Sequence, residues 1–200
     1  MTSVLDTVRA RWPKSAPFQL LSASPWADQR PTFREAEPKL ISAARRRSQA
    51  QPSGNWYAFA ASDRIGTARA LGVTVGGYEL VAWRGHDGAL YVGPGGGPHL
   101  GADLSTGVLD GGALICPWHG LRLTGCDKAG WRPYPCHDDG VLAWVRLDRL
   151  GGETPTEMPV VARCPGSPRI HAVTRLVGVC EPRDIIANRL DPWHGSWFHP

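Results

Sequence analysis

No apolar run in this chain is long enough to cross a bilayer; one of the longest is Val141-Leu142-Ala143-Trp144-Val145, so no membrane span is expected. A secretory leader is not expected either, because Asp6 and Arg9 stand where its apolar core would lie, and a cytoplasmic location is the expectation. The cysteines Cys116, Cys126, Cys136, Cys164 and Cys180 are odd in number, which argues against a disulfide framework and for a reducing compartment. There is no internal repeat and no low-complexity tract. Arginines near the start have no interleaved aromatics and no nucleic-acid motif beside them, so a nucleic-acid partner is not expected.

What is present is enough for one complete domain and part of another: 200 residues, of which 42% are hydrophobic. The net charge of +4 is unevenly spread. Residues 1–50 carry nine Lys or Arg against four Asp or Glu, while the remainder carries thirteen against fourteen.

The opening residues predict a helix, with Ser3 and Asp6 resembling a capping box and Val4, Leu5, Val8 and Trp12 on one face, ended by Pro13. After a stretch holding Pro17, Pro25 and Pro31, a second helix of about ten residues is predicted around Leu40, Ile41 and Ala44, leading into Arg45-Arg46-Arg47. Those cations suit the negative end of a helix dipole; they also suit a dock for an acidic electron-donor protein. Gln51-Pro52-Ser53-Gly54 reads as a linker.

From Asn55 to about Leu147 the pattern changes to short strands punctuated by Gly and Asp, with candidates at 56–60, 71–75, 78–83, 90–92, 114–115, 121–123 and 141–145. Many short strands between frequent turns predict a small antiparallel barrel or sandwich. Gly151-Gly152, Pro155 and Pro159 mark a second boundary, after which 169–173 and 176–179 read as strand and 184–190 as a short helix.

Two Gly-flanked turns inside the strand-rich region each carry a Pro and a His. The first is Gly97-Pro98-His99-Leu100-Gly101-Ala102-Asp103-Leu104-Ser105 and the second is Cys116-Pro117-Trp118-His119-Gly120. Two loop tips folded toward one another are a common way to build a metal site. An iron-sulfur core takes charge from thiolate, whereas imidazole binds neutral and leaves the core easier to reduce. One Cys and one His from each loop would hold one iron by sulfur and the other by nitrogen. The second loop supplies Cys116 and His119 and the first supplies His99, but two residues before His99 stands Gly97.

Together with their flanks, these loops resemble the Rieske [2Fe-2S] motif, C-x-H followed after about sixteen residues by C-x-x-H. The resemblance implies a [2Fe-2S] cofactor with His99, Cys116 and His119 as ligands, and it leaves one sulfur position empty at Gly97. Arg132-Pro133-Tyr134-Pro135 resembles the proline loop that shields the cluster in such domains; it also reads as a plain surface turn. Cys126 is near enough in sequence to replace the missing ligand, while Cys136, following the proline loop, reads as a small apolar packing residue.

The run Asn188-Arg189-Leu190-Asp191-Pro192-Trp193-His194-Gly195-Ser196-Trp197-Phe198-His199-Pro200 resembles the D-x-x-H-x-x-x-x-H motif of Rieske oxygenase catalytic subunits. By that resemblance His194 and His199 bind a mononuclear Fe(II), and Asp191 bridges the iron site to the Rieske His of a neighbouring subunit. The family's iron-binding carboxylate lies further downstream than Pro200. Read from the residues alone, Asp191-Pro192 can simply start a helix, as N-cap and first helical residue. His194 and His199 would then lie about 140° apart on it, so joint ligation needs a kink, for which Gly195 is suited.

The resemblance implies a mainly β fold. An N-terminal helical leader (1–54) precedes a Rieske-type antiparallel β domain (55–150) and the start of an α+β catalytic domain (151–200). Three functions follow as expectations. One is the front of a terminal oxygenase component, fed by a reductase or ferredoxin, acting on a small organic substrate and forming a homotrimer at full length. Another is an electron-transfer protein of Rieske ferredoxin type. The third, which Gly97 favours, is a clusterless binding module.

Overall fold

The computed structural model describes residues 32–161, 172–175 and 177–194, together with 11 and 13. In chain order the helices and strands are α1 (Pro38–Gln49), β1 (Trp56–Ala61), β2 (Leu71–Val75), β3 (Tyr78–Arg84), β4 (Leu90–Pro94), β5 (Val108–Asp110), β6 (Ala113–Ile115), β7 (Arg122–Leu123), β8 (Cys136–Asp138), β9 (Leu142–Arg146), α2 (Asp148–Gly151) and α3 (Pro182–Arg189). The chain divides into two contact units, one spanning 51–177 and the other combining 1–50 with 178–200.

The 51–177 unit is built from three antiparallel sheets of three strands each, ordered β1-β9-β8, β2-β3-β4 and β5-β6-β7. Its register follows from its turns. Gly76 and Gly77 both sit at positive φ between the paired residues Val75 and Tyr78, and Gly111 and Gly112 do the same between Asp110 and Ala113. A two-residue turn of this hand matches the twist of its strands and asks for glycine at both central positions.

Strand β3 separates two cores. Side chains alternate across a strand, so Leu80 and Ala82 enter one apolar cluster with Phe59, Val92, Val145 and Leu147. Val81 and Trp83 enter the other with Leu104, Leu114, Leu123 and Trp131. That second core also contains Cys116 and Ala102, so it is the platform on which the two Pro-His loops are mounted.

A polar clamp ties strands around the first core. The Arg84 guanidinium donates to Asp138 and to Ser62 Oγ and backbone carbonyl, and Ser62 Oγ donates to Asp138 Oδ2. Burial works to raise the Asp138 carboxyl, but the hydrogen bonds from Arg84, Gly140 N–H and Ser62 outweigh it and hold the group below the usual carboxylate range. At the start of the unit Asn55 is fully buried at positive φ. Its amide donates to Asp148 Oδ1 and the Glu153 carbonyl and accepts from Glu153 N–H.

In the other unit α1 begins with Pro38 at its first turn and ends with Arg46 and Arg47 in its last, the arrangement that complements the helix dipole. It packs against α3. The predicted first helix, residues 3–12, lies outside the described residues except for Arg11, which is helical.

Strand predictions at 71–75, 78–83 and 90–92 agree with β2, β3 and β4, but two expectations need correction. The expected strands at 169–173 and 176–179 are not seen: residues 172–173 and 177–179 carry no strand pairing, and 169–171 and 176 lie outside the described residues. Strand β5 and the short helix α2 were not predicted. Among the described residues no helix is long and apolar enough to cross a membrane.

Candidate metal centre

The two Pro-His loops close in the same way. In the first, Gly97 N–H donates to the Ala102 carbonyl at 2.7 Å and Gly101 N–H donates back to the Gly97 carbonyl at 2.9 Å. In the second, Cys116 N–H donates to the Leu121 carbonyl at 2.9 Å and Gly120 N–H donates back to the Cys116 carbonyl at 3.0 Å. Gly101 and Gly120 turn these corners at φ of 74° and 70°. Gly97 and Cys116 are therefore structurally equivalent, each the first residue of a six-residue loop closed by the same pair of hydrogen bonds.

Each loop base is held by a buried tryptophan. Trp131 donates its indole N–H to the Pro94 carbonyl ahead of the first loop, and Trp83 donates to the Gly112 carbonyl ahead of β6, which ends beside Cys116. The two rings pack with centroids 5.8 Å apart. Asp103 accepts from Ser105 N–H and Oγ and so caps the single 3-10 turn leaving the first loop.

The loops bring their imidazoles together. His99 Nδ1 and His119 Nδ1 are 3.5 Å apart, with rings at 69° to one another, and both residues are exposed. Cys116 is buried, only 6% exposed, among Ala102 and the apolar second core. A Cβ placed on Gly97 would lie 3.3 Å from Cys116 Sγ and 3.4 Å from Ala102 Cβ and the Ala102 carbonyl. The geometry thus has two corners. One holds the two nitrogens, and the other holds one sulfur beside a position with no side chain.

A four-ligand cluster with two sulfurs and two nitrogens does not fit this donor set: among the described residues it offers His99, His119 and Cys116, and the atoms nearest a Cβ on Gly97 are Cys116 Sγ, Ala102 Cβ and the Ala102 carbonyl oxygen. Among the described residues no group of three or more His, Cys, Asp or Glu converges as a metal site. Cys126 is exposed and joins no such group, and Cys180 lies in the other unit. Cys136 donates its thiol to the Leu90 carbonyl at 3.2 Å, and burial pushes that thiol upward in pKa, as expected of a packing residue.

The segment 132–135 is tied down on both sides, with Tyr134 N–H donating to the Val92 carbonyl and Arg146 N–H donating to the Pro135 carbonyl. In the tail, Asp191 Oδ1 accepts from His194 N–H at 3.1 Å, so the Asp-Pro pair starts a helical turn as an N-cap does. His199 lies outside the described residues, so the His194–His199 pairing has no geometry here. Sequence reasoning did not anticipate the part of Ala102, whose methyl and carbonyl border the Gly97 corner; its only signal was its place between Gly101 and Asp103 in the loop.

Residues 55–143 match the family described as Rieske [2Fe-2S] domain, and residues 150–200 match one described as Domain of unknown function (DUF5914). Cholesterol 7-desaturase of Caenorhabditis elegans is 23% identical over 189 residues, covering 84% of this chain and 44% of that protein. The vanillate O-demethylase oxygenase subunit of Pseudomonas sp. (strain HR199 / DSM 7063) is 36% identical over 76 residues, 38% of this chain and 21% of that protein. A solved structure of dicamba monooxygenase with non-heme iron and dicamba aligns at 28% identity with a TM-score of 0.42, covering 46% of this chain and 32% of that one. The chain spans less than half the length of each of these relatives.

Proposed function

Because residues 55–143 belong to the Rieske [2Fe-2S] domain family, we propose that the chain is the front part of a terminal oxygenase component of the Rieske type. Such a component is an oxidoreductase that couples O₂ to the oxidation of a small organic substrate, with electrons from a reductase or ferredoxin. The observation that carries this reading is the convergence of His99 Nδ1 and His119 Nδ1 to 3.5 Å at the tips of two equivalent loops. Support against a free-standing ferredoxin comes from the similarity to the sterol desaturase, which extends over 84% of the chain rather than the β domain alone.

In this reading His194 and His199 are ligands of a mononuclear non-haem Fe(II) in the whole protein. Asp191 bridges that site to the Rieske histidine of a neighbouring subunit in a homotrimer. The leader, Rieske domain and start of the catalytic domain occupy 1–54, 55–150 and 151–200, and the protein works in the cytoplasm. Among the described residues neither iron group has a complete donor set, so no electron-transfer or oxygenation step is assigned to them. What the chain itself contributes is position: the Trp83 and Trp131 anchors fix the loops, and the Asp191 cap fixes the turn that carries His194.

Gly97 supports a second reading, a Rieske-type module that has given up its cluster and serves binding or assembly. The two are separated by reconstituting the chain and its Gly97→Cys variant anaerobically with iron and sulfide. Under the oxygenase reading, Gly97→Cys gains two irons, two sulfides and the electron-paramagnetic-resonance signal of a reduced mixed nitrogen-sulfur cluster. If the variant stays colourless although folded, the corner does not take a cluster even with its second sulfur restored, and the module reading stands.

A further inference from the structure

The mismatch between the two corners bears on what the unmodified chain binds at this site, where the two-sulfur, two-nitrogen cluster does not fit. The sulfur corner has lost half its donors, so one iron would have a single protein thiolate and an open position, with less negative charge to offset the ferric core. The nitrogen corner is intact. Two ligands each about 2.0–2.1 Å from a tetrahedral ion stand roughly 3.4 Å apart, and His99 Nδ1 and His119 Nδ1 stand 3.5 Å apart. We propose that His99 and His119 hold a single imidazole-seeking divalent cation of the Zn²⁺ class through their Nδ1 atoms, without inorganic sulfide and without the Cys116 thiolate.

Cys116 is kept out by its position. Its side chain is packed in the second core while both imidazoles are exposed, and no third His, Cys, Asp or Glu among the described residues completes a group with the pair. Two neutral imidazoles leave the remaining coordination positions to water. Such a donor set favours Zn²⁺, Ni²⁺ or Cu²⁺ over the hard, oxygen-seeking Mg²⁺ and Ca²⁺. Access is direct, because the neighbours Leu100 and Trp118 are themselves 63% and 57% exposed and do not roof the pair.

The test is a titration of the metal-stripped 200-residue chain with Co²⁺ as an optical probe, followed by displacement with Zn²⁺. It is run in a chain carrying His194→Ala and His199→Ala, so that the tail contributes nothing. One equivalent of Co²⁺ should bind with ligand-field bands but no sulfur-to-cobalt charge-transfer band, and Zn²⁺ should displace it. Cys116→Ser should leave the titration unchanged, whereas His99→Ala or His119→Ala should abolish it. Should either histidine variant fail to fold, diethylpyrocarbonate footprinting replaces it: Zn²⁺ should protect His99 and His119 while His86 and His137 still react. No Co²⁺ uptake, a thiolate band that vanishes in Cys116→Ser, or assembly of two irons and two sulfides on unmodified Gly97 would each overturn the proposal.

Discussion

Gly97 and Cys116 are counterparts: each opens a loop closed by the same two backbone hydrogen bonds, and a Cβ on Gly97 would stand 3.3 Å from Cys116 Sγ. A residue that differs from its counterpart only in lacking a side chain leaves the corner shaped for a sulfur it does not hold. That relationship allows a direct test of the loop geometry that needs no iron.

In metal-free, oxidising buffer, Gly97→Cys should form a disulfide with Cys116. With an S–S bond of about 2.05 Å, each Cβ of a bridged pair lies roughly 3 Å from the partner sulfur, and a Cβ on Gly97 would already stand 3.3 Å from Cys116 Sγ. Gly97 has negative φ, so a side chain there meets no left-handed strain. Peptide mapping under non-reducing conditions should find residues 97 and 116 linked; a pair of free thiols after complete oxidant treatment would contradict the placement of the two loops.

Trp83→Ala should destabilise the β unit by about 3–5 kcal/mol, the range for deleting a large buried aromatic. Trp83 is fully buried, and the substitution also strips the Gly112 carbonyl of its indole donor. Urea denaturation followed by the remaining tryptophan fluorescence measures it. A loss below about 1 kcal/mol would mean that the second core is not packed as described.

Asp138→Asn should cost stability at neutral pH and progressively less in acid. The folded-state pKa of Asp138 is depressed, so its contribution is complete above the unfolded value of about 3.9 and is lost as pH falls through the folded value. Melting curves of the two proteins should therefore converge at low pH. A gap that persists undiminished well below the unfolded value would show that lost shape, rather than lost charge pairing with Arg84, explains the effect.

Asn55→Ala should destabilise by about 2–4 kcal/mol, since it removes a buried amide that makes three hydrogen bonds and forces alanine into positive φ. Asn55→Gly loses the same bonds without the backbone strain, so it should lie about 1 kcal/mol closer to the unmodified chain. Equal losses in the two variants, read from denaturant midpoints, would remove the strain from this account.

Legibility followed the range of the interaction. Strands β2, β3 and β4 could be read because each has five or more residues of β-prone pattern and because Gly76-Gly77 names its own turn. Strand β5 could not, because Val108-Leu109-Asp110 is too short to show a period and is held by pairing with β6 and by a bridge from Val108 to Arg69. The reverse error occurred around Val173, Val177 and Val179: the residues favour strands, but among the described residues no strand edge pairs with them, and all three are exposed.

The sequence by itself determined the chemistry on offer here: which side chains carry nitrogen and sulfur donors, how far apart they lie along the chain, and that position 97 contributes none. Only the tertiary structure decided that the two imidazoles meet at 3.5 Å and that Gly97 and Cys116 share one corner, because those neighbours are brought together by backbone hydrogen bonds and by tryptophan anchors distant in the chain, Trp83 on β3 and Trp131 between β7 and β8. Local preference sets which residues can turn or extend; the spacing of donors around an ion is a property of the packed loops.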